Sequence, residues 1–305
     1  MRHAILVPLD GSAFAEQALD VAAALALRSG VPLLLAYAHP PLDLPGDTGT
    51  LTANILEWDA GRQEQMRSYL ATVAGRLCRP GLAVSIVVLE GDPVAAISRE
   101  AASHSVNLIV MTTHGRTGLS RAWLGSVADG LVHHSDVPLL LVRPPVEHAG
   151  TGNGAPFHRI LVPLDGSPAA EQALDPAVAV ARLSDAQITL LRIVAPPQPP
   201  VDPFTFAPTT DGNEIFERQS QVAEEYLDRC AQQVRDCGVT VDEDVAVSDA
   251  PARKILDAAS ECGADLIAMT ARGHGLRRVL LGSTVDKVLR GSGLPLLLQR
   301  PRHDQ

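Results

Sequence analysis

The stretch ILVPLDGS occupies Ile5–Ser12, and the same eight letters return at Ile160–Ser167. EQALD follows both copies, at Glu16–Asp20 and at Glu171–Asp175, and the landmarks LGS and PLLL recur later in the same order. Self-similarity at one long period is the signature of a repeated structural unit. The sequence therefore predicts that the chain is a duplicated domain.

The length of the chain and one Pro/Gly-rich stretch set the expected domain boundaries. A chain of 305 residues is typical of about two domains. Pro144–Pro156 reads PPVEHAGTGNGAP, and a stretch rich in Pro and Gly with few apolar residues is typical of a linker. We expect a first domain at 1–145, a linker at 146–157 and a second domain at 158–305.

Each copy alternates short apolar runs with helical patterns. Strands at Ala4–Val7 and Val31–Ala38 flank a helix over Phe14–Leu27, and a long insert over His39–Ala60 precedes the next helix. Further strands are expected at Val84–Leu89, Val106–Met111 and Leu139–Val142. Alternation of this kind predicts an α/β fold, with two tandem doubly wound, five-stranded parallel sheets of Rossmann-like type.

Composition and charge exclude several classes of protein. The formal net charge of -10 argues against a nucleic-acid partner, because such partners require an extended basic surface. We see no secretory signal peptide and no apolar run approaching the roughly 20 residues of a membrane span. The four cysteines stand singly, without the spacing of a zinc site or a disulfide framework. We expect a cytoplasmic protein that does not contact membranes.

The turn after the first strand carries the first candidate site. Asp10 places a carboxylate where the strand ends, and Gly11 permits a tight turn. In open parallel sheets, ligands bind at the carboxyl ends of strands, so Asp10 is a candidate for binding ribose hydroxyls, an adenine amino group or a metal ion. The alternative is that Asp10 or Ser12 only caps the next helix. The duplication leaves both interpretations open, because repeated scaffolds share caps as readily as sites.

The loop after the fourth strand carries the second candidate site. Its sequence is MTTHGRTGLSRAWLGS, at Met111–Ser126. Gly115 and Gly118 allow backbone N–H groups to approach a polyanion, and Arg116 adds positive charge. Gly125-Ser126 then begins a helix, whose N-terminus favours phosphate, and we expect Ser126 to cap it. The alternative is a plain glycine-rich connection with a capped helix. The loop is neither a Walker A loop nor a GxGxxG motif after the first strand.

Together, VPLDGS and the spacing Gly-x9-Gly-Ser resemble the universal stress protein family, over nearly the whole chain. Family members that bind ATP carry G-x2-G-x9-G-[S/T]. Here Thr112 stands at the first glycine position, followed by Gly115 and Gly125-Ser126. The second copy departs further from the pattern, because its loop is one residue shorter. The resemblance also implies the adenine nucleotide α-hydrolase-like form of the Rossmann-like fold.

The resemblance implies an ATP site in each half. It places the turn residues at the adenosine end of the nucleotide, and the second strand's end, Tyr37-Ala38 or Ile193-Val194, against the adenine. A stacked or pocket-filling Tyr37 and a partly exposed strand residue remain alternatives. The first site comprises Pro8, Asp10, Gly11, Ala38, Thr112, Gly115, Arg116, Gly118, Gly125 and Ser126. The second comprises Pro163, Asp165, Gly166, Val194, Thr270, Gly273, Gly275, Gly282 and Ser283.

The function implied is that of a cytoplasmic ATP-binding stress or regulatory protein, with Mg²⁺ as an optional companion of the ATP. No catalytic residue is expected, since only His114 and His274 lie near the loops as candidate bases. A slow ATPase, an adenylyl-transferring enzyme and a nucleotide-free interaction scaffold remain alternatives. Family resemblance also implies that the last strands of the two halves pair with each other, and it leaves open a homodimer.

Overall fold

The computed structural model describes residues 3–40, 51–113, 124–143, 155–196, 212–271 and 282–301. The chain divides into two compact units, Met1–Pro156 and Phe157–Gln305, called unit 1 and unit 2 below. Residues 146–154 of the linker predicted at 146–157 lie outside the described residues. The domain boundaries drawn from the sequence therefore stay a prediction.

The described part of unit 1 contains a parallel sheet in the order β3-β2-β1-β4-β5. Its strands are β1 (Ala4–Leu9), β2 (Leu33–His39), β3 (Val84–Glu90), β4 (Val106–Thr112) and β5 (Leu139–Val142). Its helices are α1 (Ala13–Glu16), α2 (Ala18–Ser29), α3 (Leu51–Leu77), α4 (Pro93–Ser103) and α5 (Ser126–His134). The order of the strands reverses between β1 and β4, which is the place where open α/β sheets bind ligands.

Unit 2 repeats this arrangement, with the strand order β10-β9-β6-β7-β8. Its strands are β6 (Arg159–Leu164), β7 (Gln187–Val194), β8 (Val241–Val247), β9 (Leu266–Thr270) and β10 (Leu296–Gln299). Its helices are α6 (Pro168–Glu171), α7 (Leu174–Ser184), α8 (Gly212–Asp236), α9 (Pro251–Cys262) and α10 (Ser283–Gly291). The predicted fold, two doubly wound parallel α/β units in tandem, is confirmed.

The central strands are buried because helices cover both faces of each sheet. Apolar side chains fill β1, β4 and β5 without the alternation of a half-exposed strand, as expected for a parallel sheet. Helix α4 begins where the sequence predicts: Asp92 accepts a hydrogen bond from the N–H of Ala95 at 3.0 Å, and Pro93 occupies the first turn. The start of α4 is thereby fixed near the carboxyl end of the sheet.

Two predicted boundaries are wrong. The helix expected over Phe14–Leu27 is interrupted at Gln17, whose N–H bonds to the carbonyl of Phe14 at 3.2 Å and closes α1 as a single tight turn. The insert expected to reach Ala60 ends earlier, since α3 begins at Leu51. The helix continues through Gly61, since one glycine costs a helix only about 1 kcal/mol.

The two central strands of unit 1 separate before they end. Pairing of β1 with β2 continues to Leu9, whereas pairing of β1 with β4 extends only from Ala4 to Leu6. Pro8 follows, and a proline has no N–H to donate to a strand ladder. Unit 2 shows the same early end, because β6 pairs with β9 only at Ile160 and Leu161. The repeated VPLDGS thus opens a crevice at the topological switch point.

Candidate functional site

The turn after β1 is built by the side chains of VPLDGS itself. Gly11 has φ 83°, in the left-handed region that favours glycine. Oδ1 of Asp10 accepts hydrogen bonds from the backbone N–H of Ser12 at 2.9 Å and from its hydroxyl at 2.6 Å. The Ser12 hydroxyl oxygen in turn accepts from the N–H of Ala15 at 3.1 Å and caps α1. The capping interpretation of the motif therefore applies, and the same turn holds Asp10 at the sheet edge.

Tyr37, at the end of β2, closes one side of the crevice. It is 8% exposed, its hydroxyl donates to the carbonyl of Asp10 at 3.0 Å, and its ring meets that of Tyr69 edge-on with centroids 6.1 Å apart. Tyr69 donates from its own hydroxyl to Oε1 of Glu16 at 2.9 Å. Burial raises the pKa of Tyr69, and the Glu16 carboxylate raises it further. The interpretation of Tyr37 as a partly exposed strand residue is wrong, because Tyr37 is buried against the half-buried ring of Tyr69.

Ala38 and His39 continue this wall. Nδ1 of His39 lies 3.1 Å from the carbonyl oxygen of Pro40, and the residue is 2% exposed. Among the described residues, no hydrogen-bond partner is found for its buried Nε2. Sequence reasoning stopped at Ala38, and its end-of-strand signal could have included the next residue, because β2 runs on through His39.

A backbone hydrogen bond joins the two ends of the glycine-rich loop in each unit. The N–H of Gly125 donates to the carbonyl of Thr113 at 2.7 Å, and in unit 2 the N–H of Gly282 donates to the carbonyl of Ala271 at 3.1 Å. Loop closure is therefore the same in both units, although the second loop is one residue shorter. Gly115, Arg116, Gly118, Gly273 and Gly275 lie outside the described residues.

Helix α5 begins directly after this loop, and its N-cap residue has no side chain that could cap the first turn. Gly125 is the N-cap residue, and Ser126 is the first helical residue, so the expectation that Ser126 caps the helix is wrong. Helix α10 repeats this pattern, with Gly282 as N-cap before Ser283. Uncapped N–H groups at a helix N-terminus, together with the helix dipole, favour a negatively charged ligand group.

A cavity of about 730 Å³ joins these parts in unit 1. Small-molecule sites occupy roughly 300–1,000 Å³, so its size suits a ligand larger than a single ion. The cavity is lined by seven residues predicted for the first site: Pro8, Asp10, Gly11, Ala38, Thr112, Gly125 and Ser126. The structure thus brings together every described member of the predicted first site.

Helix α3 supplies a wall of this cavity that sequence reasoning missed. The lining residues Arg62, Gln65, Met66 and Tyr69 follow the spacing i, i+3, i+4, i+7 and so form one face of the helix. The pair Tyr69-Leu70 in α3 has a counterpart, Tyr226-Leu227, in α8, and both leucines are fully buried. This repeated Tyr-Leu pair was the available sequence signal for the helix.

The second predicted site has the same turn and strand ends as the first, but a different residue lies at the end of its second strand. Gly166 has φ 84°, Asp165 accepts from the N–H of Ser167 at 3.0 Å, and Thr270 ends β9 in a buried position. Pro163 pairs with β7 as Pro8 pairs with β2. By register, however, Val194 corresponds to His39 and not to Ala38.

Three further observations concern the described residues. Among them, no group of three or more His, Cys, Asp or Glu side chains is arranged to hold a metal ion. None of the helices that the structure describes is long and apolar enough to cross a membrane. The described cysteines are free thiols, and burial raises the pKa of Cys230.

Comparisons with known proteins agree with this architecture. The model of the universal stress protein family matches residues 1–143 and again 156–300. A universal stress protein of Mycobacterium tuberculosis is 25% identical over 307 residues, covering 98% of this chain and 97% of its own. One from Mycolicibacterium smegmatis is 27% identical over 307 residues, covering 98% of each chain. In fold, the crystal structure of a universal stress protein from Archaeoglobus fulgidus covers 100% of this chain and 98% of its own, with a TM-score of 0.63 at 20% identity.

Proposed function

The chain belongs to the universal stress protein family, and from this premise we propose that it is an ATP-binding regulatory protein of the cytoplasm whose first unit holds the nucleotide. The observation that carries the proposal is the unit 1 cavity, which connects a carboxylate-bearing turn to a helix N-terminus whose N-cap residue, Gly125, has no side chain to cap it. These two ends match the two ends of a nucleotide. Ribose hydroxyls can donate to Asp10, while phosphates suit the N–H groups of α5.

The cavity walls between these ends fit a nucleoside. Tyr37 and Tyr69 present aromatic rings, Met66 is polarizable and adaptable, and Ala38 leaves room beside them. Arg62 brings a positive charge to the same cavity from α3. An apolar pocket with a few polar groups at its ends is the usual form of a small-molecule site.

Mg²⁺ enters the proposal only together with the nucleotide. This ion is usually held by one or two carboxylates plus substrate phosphates, with water completing the shell. Asp10 is the carboxylate that lines the cavity. The residues present therefore fit an ion brought in by the phosphates.

We propose binding rather than turnover as the activity. A general base must reach the attacking water directly or through one further water. His39 is the imidazole that lines the described cavity, and it ends β2, which β1 separates from β4 and from the start of α5, where the phosphates are placed. The sequence-based candidates His114 and His274 lie outside the described residues. The pairing of the two halves through β5 and β10, and a homodimer, remain predictions of the family resemblance.

The test combines identification of the ligand with a blocked cavity. Protein purified without chelators is denatured, and the released small molecules are identified by mass spectrometry, while calorimetry measures ATP binding. Met66→Trp places a large ring in the cavity, and we expect ATP affinity to fall at least tenfold. Ser68→Trp is the matched control, because it places the same ring on an exposed position of α3 outside the lining of the cavity.

Three results would refute this function. The first is wild-type protein that releases no adenine nucleotide and takes up no ATP in calorimetry. The second is equal ATP affinity in the Met66→Trp and Ser68→Trp variants, which would place binding outside the unit 1 cavity. The third is steady ATP turnover in the presence of Mg²⁺ that disappears in Met66→Trp, which would establish an enzyme.

A further inference from the structure

The two units differ at the residue that faces the end of the first strand. Register pairs Leu9 of β1 with Tyr37 and Leu164 of β6 with Arg192. Leu9 and Leu164 hold the same place in the repeated octapeptide, so Arg192 stands where unit 1 has Tyr37. The second half thus has a cation, with donors only, where the first half has a neutral phenol.

Arg192 lies across the Asp165-Gly166 turn. Its Nη1 donates to the carbonyl of Leu164 at 3.4 Å, and its Nη2 lies 3.4 Å from the place where a Cβ on Gly166 would be. In unit 1 the Tyr37 hydroxyl reaches one residue further, to the carbonyl of Asp10. The guanidinium therefore occupies the space directly above the glycine of the turn.

The helix that faces this turn has also changed. Tyr226 in α8 corresponds to Tyr69 in α3, because each lies close to the glutamate of the repeated EQALD. The hydroxyl of Tyr69 donates to Glu16. The pKa of Tyr226 is raised by burial and by neighbours that include Glu171. Counting back along α8, Gln219 stands at the position of Arg62. The cation at these positions is therefore Arg62 of helix α3 in unit 1 and Arg192 of strand β7 in unit 2.

Two further positions of this helix face have shorter, apolar side chains in unit 2. Val222 replaces Gln65 and is 59% exposed, and Ala223 replaces Met66 and is buried. A nucleoside placed in unit 2 would meet an alanine where unit 1 offers the adaptable side chain of methionine. Helix α8 therefore does not reproduce the walls that α3 builds.

Building on the function proposed above, we propose that Arg192 makes unit 2 reject the base end of an adenine nucleotide, so that the chain binds one nucleotide, in unit 1. The guanidinium occupies the space above Gly166 and donates to the carbonyl of Leu164, so a base entering this place has to displace it and break that hydrogen bond. A charged group that loses its hydrogen-bond partner in a covered site is destabilised. The N-terminus of α10 keeps the arrangement of α5, with Gly282 as the N-cap residue in place of Gly125, so the proposal assigns the exclusion to the base end.

The experiment counts ATP molecules bound per chain by calorimetry and native mass spectrometry. Wild-type protein is expected to bind one ATP, and Met66→Trp to bind it at least tenfold more weakly. Arg192→Tyr installs the unit 1 residue and is expected to raise the count to two. In the double variant Met66→Trp/Arg192→Tyr the remaining ATP is in unit 2, with an affinity about 10- to 100-fold above that of Met66→Trp alone, the factor associated with relieving an unmatched charged group.

Two control variants separate charge at this position from charge in general. Arg192→Lys keeps the cation and is expected to keep the count at one. Arg182→Ala removes a positive charge from an exposed position of α7 and should likewise leave the count at one. Thermal unfolding of each variant confirms that unit 2 remains folded.

The outcomes distinguish this inference from the function on which it rests. Two ATP molecules bound per wild-type chain would overturn the inference alone, and would mean that Arg192 stacks on the base as cations do on aromatic rings. A folded Arg192→Tyr variant that still binds one ATP would also overturn it. No ATP bound by wild type or by any variant would refute the proposed function itself.

Discussion

Gly130 lies where α5 packs against α4. Replacing it with alanine tests whether the packing of α5 against α4 can accommodate one more methyl group. A Cβ built on Gly130 would lie 2.4 Å from Cγ2 of Val94, 3.1 Å from Cγ1 and 3.3 Å from Cβ. Valine is stiff about χ1, and its Cβ cannot move without the backbone. The added methyl group must therefore push α5 away from α4.

Gly291 in unit 2 provides the matched comparison. A Cβ there would lie 2.6 Å from Cδ1 of Leu256 but 3.9 Å from its Cγ, so rotation of the leucine end relieves the contact. Gly130→Ala, inside α5, gains about 1 kcal/mol of helix propensity, and Gly291→Ala, at the last residue of α10, gains less. Overpacking costs about 1–3 kcal/mol where the neighbour cannot yield. Gly291→Ala should thus be neutral or stabilising, and Gly130→Ala should be destabilising by up to about 2 kcal/mol.

Thermal unfolding checks these values, because about 1 kcal/mol shifts the midpoint of a unit of this size by roughly 2–4 °C. Val94→Ala removes both methyl groups from the contact, so Gly130→Ala should cost less in its presence than in wild type. The same double variant tests function: α5 begins at Ser126 in the cavity wall, and its displacement should weaken ATP binding until Val94→Ala restores it. Equal midpoints for Gly130→Ala and Gly291→Ala would refute the reasoning.

Two more predictions concern the aromatic wall. Tyr37→Arg copies the unit 2 residue into unit 1 and should lower ATP affinity about 10- to 100-fold, whereas Tyr37→Phe should retain affinity within about threefold; equal affinities in calorimetry would contradict this. Burial and the Glu16 carboxylate raise the pKa of Tyr69 in the folded protein. The contribution of Tyr69 to the free energy of unfolding is therefore complete below the unfolded tyrosine pKa of about 10, and it is lost as the pH rises beyond that value. Tyr69→Phe should lose less stability than wild type between roughly pH 9 and 11, measured by unfolding midpoints; parallel curves would contradict that reading.

The repeat in the sequence was sufficient to predict both sheets, because parallel strands buried on both faces leave plain apolar runs between helices. It also placed Pro8, Asp10 and Gly11 correctly at the sheet edge, since the turn depends on bonds among neighbouring residues. The contribution of α3 was not visible, because residues spaced along a helix meet the turn only after the chain has folded back. The break at Gln17 likewise depends on one local hydrogen bond that no periodic pattern reveals.

The identical octapeptides concealed the largest difference between the halves. A local turn motif fixes its own backbone, as the matching φ values of 83° and 84° at Gly11 and Gly166 show. It does not fix the side chain that the neighbouring strand places above it, and the flanking inserts give the sequence no landmark for aligning Tyr37 with Arg192. That alignment comes from strand register, which pairs each with the last residue of its octapeptide strand. Identical motifs in a duplicated chain therefore predict identical turns, and the chemistry of each site has to be read from the strand and the helix that face the turn.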